Sequence, residues 1–378
     1  VKLPVSGTNN RNLRGIQLMK KRRYFLAPLA ALAMVATACG GDDDAGSTTA
    51  PADSASETTG GATTAGETTP ESTNAVETTV GTTDTVEQTE GSDITIAVIT
   101  HGDGGVFWSV FQKGAEQAGA DLGIKVKYQG SNNTGTEQAA LIDQAVSDGV
   151  DGLAVSLADP DAVKASVLAA GEAGIPIVTT NSGSDLFTEF GAFTHIGQDE
   201  VVAGNGAGRK FNEAGATKVL CAKQEQSNVG LEARCQGLEE TFEGEVIQIT
   251  TSGDADPVTQ QAEIKAELEK DPSIDGVFGT GPVIAHHAVL AAEELGVTPT
   301  IAGVDLSPDL LADISAGKAA FTIDQQQYVQ GYLSVVLLYL NVTNENTTGG
   351  GLPVYTGPGF VDASNVEAVQ KLVDAGTR

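Results

Sequence analysis

A chain of 378 residues, 40% hydrophobic and with 46 glycines, has enough apolar content for one or two globular domains and some further segments. Its 21 basic residues stand against 50 acidic ones, a formal charge of −29. Such a surface repels nucleic acid and anionic lipid headgroups, and an anionic ligand would need a local basic pocket.

In chain order, the first recognisable element is Met19–Cys39, MKKRRYFLAPLAALAMVATAC. A basic start (Lys20 to Arg23) leads into an apolar run (Phe25 to Val35) and then small residues before Cys39, the order of an export signal peptide. The apolar run is short for a membrane-spanning helix. The terminal cysteine resembles a bacterial lipobox, which implies that the Cys39 thiol is lipidated and becomes the mature N-terminus. Ala36 stands where that pattern usually has leucine. Residues 1–18 read as an extension ahead of a start at Met19. Seven basic residues and no acid lie in the first 39 positions, so the processed chain carries 14 against 50, near −36.

Residues 40–92 are almost entirely Thr, Ser, Gly, Ala, Pro, Asp and Glu, as in GDDDAGSTTAPADSASETTGG. Such a segment has too little apolar surface to fold and reads as a disordered tether. About fifty residues of this kind reach roughly 40 Å.

From residue 93 onward, apolar runs alternate with helical patterns. Ile94–Thr100, Lys125–Tyr128, Gly152–Ser156, Pro176–Thr180, Lys218–Ala222, Glu245–Thr250, Gly276–Gly279, Thr300–Val304 and Ala320–Ile323 read as strands. Between them, helical periodicity covers Phe111–Leu122, Thr136–Ser147, Asp161–Ala173, Glu200–Ala214, Val229–Phe242, Pro257–Glu269, Val283–Leu295 and Pro308–Ala316. Ser307-Pro308 marks a helix start, while Gly174 and Gly215 follow helix ends. Continuous apolar strands alternating with helices imply an α/β fold: parallel sheets with helices on both faces. The repeat is too long for one six-stranded sheet and divides into two Rossmann-like lobes.

Ligands of open parallel sheets sit beyond the carboxyl ends of the strands. The turns there include HGDGG (101–105), TNSGSD (180–185), KQEQSN (223–228), GTGP (279–282), VDLSPD (304–309) and DQQQ (324–327). HGDGGVF lacks the third glycine of a dinucleotide turn and the lysine of a P-loop. There is no G-x-S-x-G elbow and no Ser…Asp…His order behind it. These absences speak against a nucleotide enzyme, and they leave an exported hydrolase using His101, Asp103 and Ser109 as a minor alternative. No CxxC or His-rich spacing suggests a metal, and no cofactor is expected.

The turns in this order, with ITIAVITHGDGGVFWSVFQKGAEQAGADLGIKV, DGLAVSLADPDAV, THIGQDE and IAGVDLSPDLLADISAGKAAFTIDQQQYVQGY, resemble the ribose-binding-like periplasmic sugar-binding proteins of ABC importers. The resemblance covers roughly residues 93–360. It implies a periplasmic-binding-protein type I fold: two lobes joined by a three-segment hinge, closing on a monosaccharide or polyol and delivering it to a permease. The lobes are then 93–197 plus 326–352, and 198–325 plus 353–378. The protein would act as a monomer outside the cytoplasmic membrane, held there only by its lipid anchor. A lipoprotein that feeds a sensor or chemoreceptor is the alternative.

By that resemblance, Phe107 and Trp108 match the aromatic-bearing loop that faces the sugar. Asn181 matches a hydroxyl-binding polar residue, Arg234 an oxygen-gripping arginine, Asp305 a hydroxyl-accepting carboxylate and Gln325 an amide near the hinge. His101 and Asp103 are placed beside them. The chemistry suits the assignment: rings cover C–H faces, while charged groups make the stronger hydrogen bonds to the hydroxyl rim. Each residue also has a purely structural reading, such as core packing for Phe107 and Trp108, a helix cap for Asp305 or a surface charge for Arg234. His286 is read as a surface residue that reaches the cleft only as the lesser alternative. Three departures from the family remove much of its ribose-type hydrogen-bond set: Gly104-Gly105, Asn181-Ser182 and Gly281-Pro282. Cys221 and Cys235 lie in the exported part, where an even count argues for a disulfide, two buried thiols being the other reading.

Overall fold

The computed structural model describes residues 93–252 and 257–378. The signal segment, Cys39 and the tether lie outside the described residues.

The first lobe is built on a six-stranded sheet in the order β11-β5-β4-β3-β1-β2. Its strands are β1 (Thr95–Thr100), β2 (Lys125–Gly130), β3 (Gly152–Ser156), β4 (Ile177–Asn181), β5 (Thr194–Gln198) and β11 (Val354–Gly357). All its pairings are parallel. The central strands β3, GLAVS, and β4, IVTTN, are buried along their whole length, as strands covered on both faces must be. Edge strand β2 instead alternates exposed and half-buried residues.

Helices α1 (Gly105–Leu122) and α9 (Gln327–Asn344) cover one face of this sheet; α2 (Gly135–Ser147) and α3 (Pro160–Glu172) cover the other. Helices α1 and α9 can approach closely because glycines meet at their crossing. A Cβ on Gly114 would fall 2.1 Å from the Tyr328 carbonyl, and one on Gly331 would fall 2.1 Å from that of Phe111.

The second lobe repeats the plan. Its sheet runs β12-β10-β9-β8-β6-β7. The strands are β6 (Lys218–Lys223), β7 (Glu245–Thr250), β8 (Gly276–Gly279), β9 (Thr300–Val304), β10 (Phe321–Asp324) and β12 (Gly359–Asp362). Helices α4 (Glu200–Glu213) and α5 (Val229–Thr241) cover one face. Helices α6 (Pro257–Lys270), α7 (Pro282–Leu295), α8 (Pro308–Ser315) and α10 (Val366–Asp374) cover the other. One pairing departs from the parallel expectation: β12 runs antiparallel to β10, because the chain turns back at the sheet edge.

The chain passes between lobes at Gln198–Glu200, at Gln325–Gln326 and at Gly357–Gly359, the last through a cis Gly357-Pro358 bond. The third passage corrects the boundary expected after 352. Strand β11 belongs to the first lobe, since Val354 pairs with Ile196 and packs into that lobe's core. Strands β5, β11 and β12 and helices α9 and α10 are additions to the elements read from sequence.

Cys221 of β6 and Cys235 of α5 are bonded, with Cα atoms 6.0 Å apart. Both are fully buried against the α4–α5 face of the sheet. The bond spans 14 positions, a loop whose closure stabilises a fold by about 3 kcal/mol in the chain-entropy picture.

Candidate functional site

In both sheets the strand order reverses next to the first strand of the lobe, so loops leaving neighbouring strands diverge there. The first lobe opens after β1 and β3, the second after β6 and β8. These crevices face each other and enclose a cavity of about 350 Å³. All eight residues singled out from sequence line it: His101, Asp103, Phe107, Trp108, Asn181, Arg234, Asp305 and Gln325. His286 does not; it forms a 2.6 Å pair with the buried Asp313 of α8.

The aromatic wall comes from the first lobe. Phe107 and Trp108 stand on the first turn of α1, which starts at Gly105, six residues earlier than periodicity placed it. Trp108 is buried and meets the Phe107 and His101 rings edge-on, at centroid distances of 4.8 and 4.9 Å. Such T-shaped contacts suit the ring quadrupole and fix the indole in place. Gly102 is needed for this packing, since a Cβ there would fall 2.0 Å from the Trp108 Nε1. Asp103 is exposed at the rim.

The polar wall comes mainly from the second lobe. Arg234 is no surface charge: it is 4% exposed and grips Glu200 through Nε (2.6 Å) and Nη2 (3.0 Å), while Nη1 donates to the Thr280 carbonyl (2.5 Å). Burial works against its charge, but the Glu200 carboxylate outweighs this and raises its pKa. Much of the expected fork is therefore committed inside the protein. Glu200 also accepts from Gln198 at 2.8 Å, which ties the arginine to the first lobe-to-lobe passage.

Asp305 ends β9 and does not cap α8; Ser307 does, accepting from the Leu310 amide at 3.2 Å. Burial pushes the Asp305 carboxyl up to about 7, with Glu200 and Asp324 acting in the same direction and Arg234 and Gln325 opposing. Gln325 links the lobes: its Nε2 donates to Asp305 at 2.8 Å, and its Oε1 accepts from Asn181 at 3.3 Å and from Gln330 at 2.9 Å. Asn181 and Asp305 occupy matching places at the ends of the fourth strand of each sheet. Both have left-handed backbone, φ +62° and +66°. Asn and Asp tolerate this conformation far better than branched residues do.

His101 is neutral, its pKa lowered to about 3 by burial and by the Arg234 charge. It shares a 2.8 Å hydrogen bond with Ser156 and reaches across the cleft to Asn228, 3.4 Å away. Asn228 caps α5 by accepting from the Gly230 amide and takes a bond from Ser182 of the opposite lobe. Asn228 and Glu200 were missed by sequence reasoning. A cap pattern before α5 marks Asn228, but nothing local marks its contacts across the cleft.

The arrangement binds rather than reacts: an aromatic face opposes a rim of fixed donors and acceptors. Among the described residues no cluster of His, Cys, Asp or Glu could hold a metal ion.

Residues 96–346 match the family model described as periplasmic binding protein domain. The chain is 26% identical to the xylose/arabinose-binding protein of Sulfolobus acidocaldarius, over 72% of each chain. It is 24% identical to the ribose import binding protein of Bacillus subtilis, over 60% of this chain and 75% of that one. A carbohydrate transporter structure from Acidothermus cellulolyticus, in complex with myo-inositol, is 43% identical, covers 76% of this chain and 100% of its own, and superposes with a TM-score of 0.73.

Proposed function

From the premise that this chain belongs to the periplasmic binding protein domain family, whose members bind solutes rather than transform them, we propose that it captures a neutral polyhydroxylated ring. The ring is a cyclitol or monosaccharide. One observation carries the reading: one cleft between the lobes with aromatic rings on one side and Asp305, Asn181 and Gln325 on the other. A ring's C–H face packs on Phe107 and Trp108 while its hydroxyls donate to Asp305 and exchange bonds with the two amides. Arg234 braces Glu200 and the Thr280 carbonyl at the floor of the site and sets a positive charge near Asp305, more than it grips the ligand. The 43% identical myo-inositol complex makes a cyclitol the first ligand to test.

Trp108 is the only tryptophan of the chain and lines the cavity. Titration with myo-inositol, xylose, arabinose and ribose is expected to give a saturable change in tryptophan fluorescence with at least one of them. A flat response to all, together with a flat thermal-shift screen, would rule the reading out.

The ligand is handed to an ABC permease when the lobes close, and the protein is retained at the outer face of the cytoplasmic membrane by lipid on Cys39. The supports are the family and the order of basic, apolar and small residues before that cysteine. Cys39→Ala is expected to move the protein from the membrane fraction to the soluble one. Unchanged membrane retention would exclude the anchor.

A further inference from the structure

Beside the cavity already described lies a second one of about 290 Å³, also between the lobes. His101 and Asn228 stand on the border of both, their side chains 3.4 Å apart. Their contact is long, so the partition is thin. The character of the space changes across it. The first cavity has an aromatic face. The second is lined beyond the partition by Gln138 of α2, Asp159 at the N-cap of α3, Gln226 and Ser227, with Gly135 and Ala158 as its only other non-shared lining residues. Two carboxylates, Glu225 and Asp159, line it, and no lysine or arginine does. Gln138 is fully buried. Its Nε2 donates to the Ser156 carbonyl at 2.9 Å, but its Oε1 accepts no hydrogen bond.

We infer that this chamber is an annex of the binding site, taking a polar substituent on the captured ring: a second, glycosidically linked sugar or an amine, but not an anionic group. The inference rests on the reading of the first cavity as a site for a polyhydroxylated ring. A neutral or cationic substituent supplies O–H or N–H donors to the carboxylates of Glu225 and Asp159. A phosphate or carboxylate would meet two carboxylates with no compensating cation in the chamber, a desolvated like-charge arrangement.

The test is calorimetric titration of the purified protein with myo-inositol, its galactoside, an amino-deoxy-inositol and myo-inositol 1-phosphate. Ser227→Trp is titrated in parallel. Ser227 is exposed and borders the annex only, so the indole fills that space without touching the first cavity. The galactoside or the amine is expected to bind at least as tightly as the parent ring, and the phosphate roughly a hundredfold more weakly. Ser227→Trp should weaken the substituted ring by about a hundredfold or more while changing myo-inositol by less than about threefold. That retained affinity also reports an intact fold. Binding of the parent ring alone, or equal weakening of parent and substituted ring by Ser227→Trp, overturns the annex and leaves the first reading standing. Tight binding of the phosphate overturns the charge selectivity. If no ring binds, both readings fall together.

Discussion

Arg234→Ala is expected to destabilise the protein by about 3–5 kcal/mol, and adding Glu200→Ala is expected to restore part of that loss. The argument is one of uncompensated charge. Arg234 and Glu200 are each 4% exposed and bonded to each other through two contacts. With the guanidinium gone, the Glu200 carboxylate keeps only the Gln198 amide at 2.8 Å. A buried anion with one neutral partner costs far more than the missing side chain's packing. Removing both charges leaves a cavity but no stranded ion, so the double variant lies above the sum of the singles. Urea unfolding of the wild type, both single variants and the double variant measures the coupling. Strict additivity would mean that the pair is solvated and has no structural weight. Ligand affinity gives a second readout. Asp305 loses its nearest favourable charge in Arg234→Ala, so binding should weaken even where the fold survives.

The second large effect is on pH. Asp305 is buried and its carboxyl is pushed up to about 7. In the unfolded chain a carboxyl of this type releases its proton at about pH 4. Between those limits the native state holds a proton that the unfolded state has lost, so the contribution of Asp305 to the stability of the unliganded protein falls as pH rises from about 4 to about 7. The buried His101 and His195, lowered to about 3, contribute in the opposite direction up to about pH 6.5. Affinity moves the opposite way. Ligand hydroxyls donate to the ionised carboxylate, and below about pH 7 the protein must first release the proton. Affinity should therefore rise with pH by up to about tenfold per unit and level off above about 7. His101, with its pKa lowered to about 3, stays neutral in the folded protein over this range and adds no step to the affinity. Asp305→Asn should flatten the profile and cost about 1.5–3 kcal/mol of binding at pH 8, the worth of charge-assisted hydrogen bonds. Calorimetry from pH 5 to 8 on both proteins decides. A wild-type affinity that does not change with pH would remove Asp305 from ligand contact.

The post-strand turns were legible because parallel α/β sheets place their sites there, and every side chain chosen from those turns lines the cavity. The helices that carry or frame them were less so. Helix α1 begins at Gly105 with no side-chain cap and positive φ at its first residue, so nothing in GVFWSV announces a start. Helix α9 follows Gln326, a left-handed residue that also caps nothing, and its run VVLLYL reads as well as a strand. The Glu200–Arg234 pair joins the N-terminus of α4 to the middle of α5, 34 positions on, and no local pattern encodes a contact at that range. The internal partner of Arg234 was missed for the same reason. Its type and position suited a ligand, but its partner lay elsewhere in the chain.

The twin left-handed residues Asn181 and Asp305 limit how this site could be retuned. Each backbone position favours a short alphabet, asparagine, aspartate and glycine, since branched and bulky side chains strain there. Two of those three letters carry an oxygen acceptor, and none carries an apolar body. A duplicated lobe plan has thus written the same constraint twice, once on each lip of the cleft. Substitution at these points can trade an amide for a carboxylate, or erase the contact, but it cannot turn the rim greasy. Ligand preference in such a cleft would drift among hydroxylated molecules, with changes of a wider kind having to arise on the aromatic wall opposite.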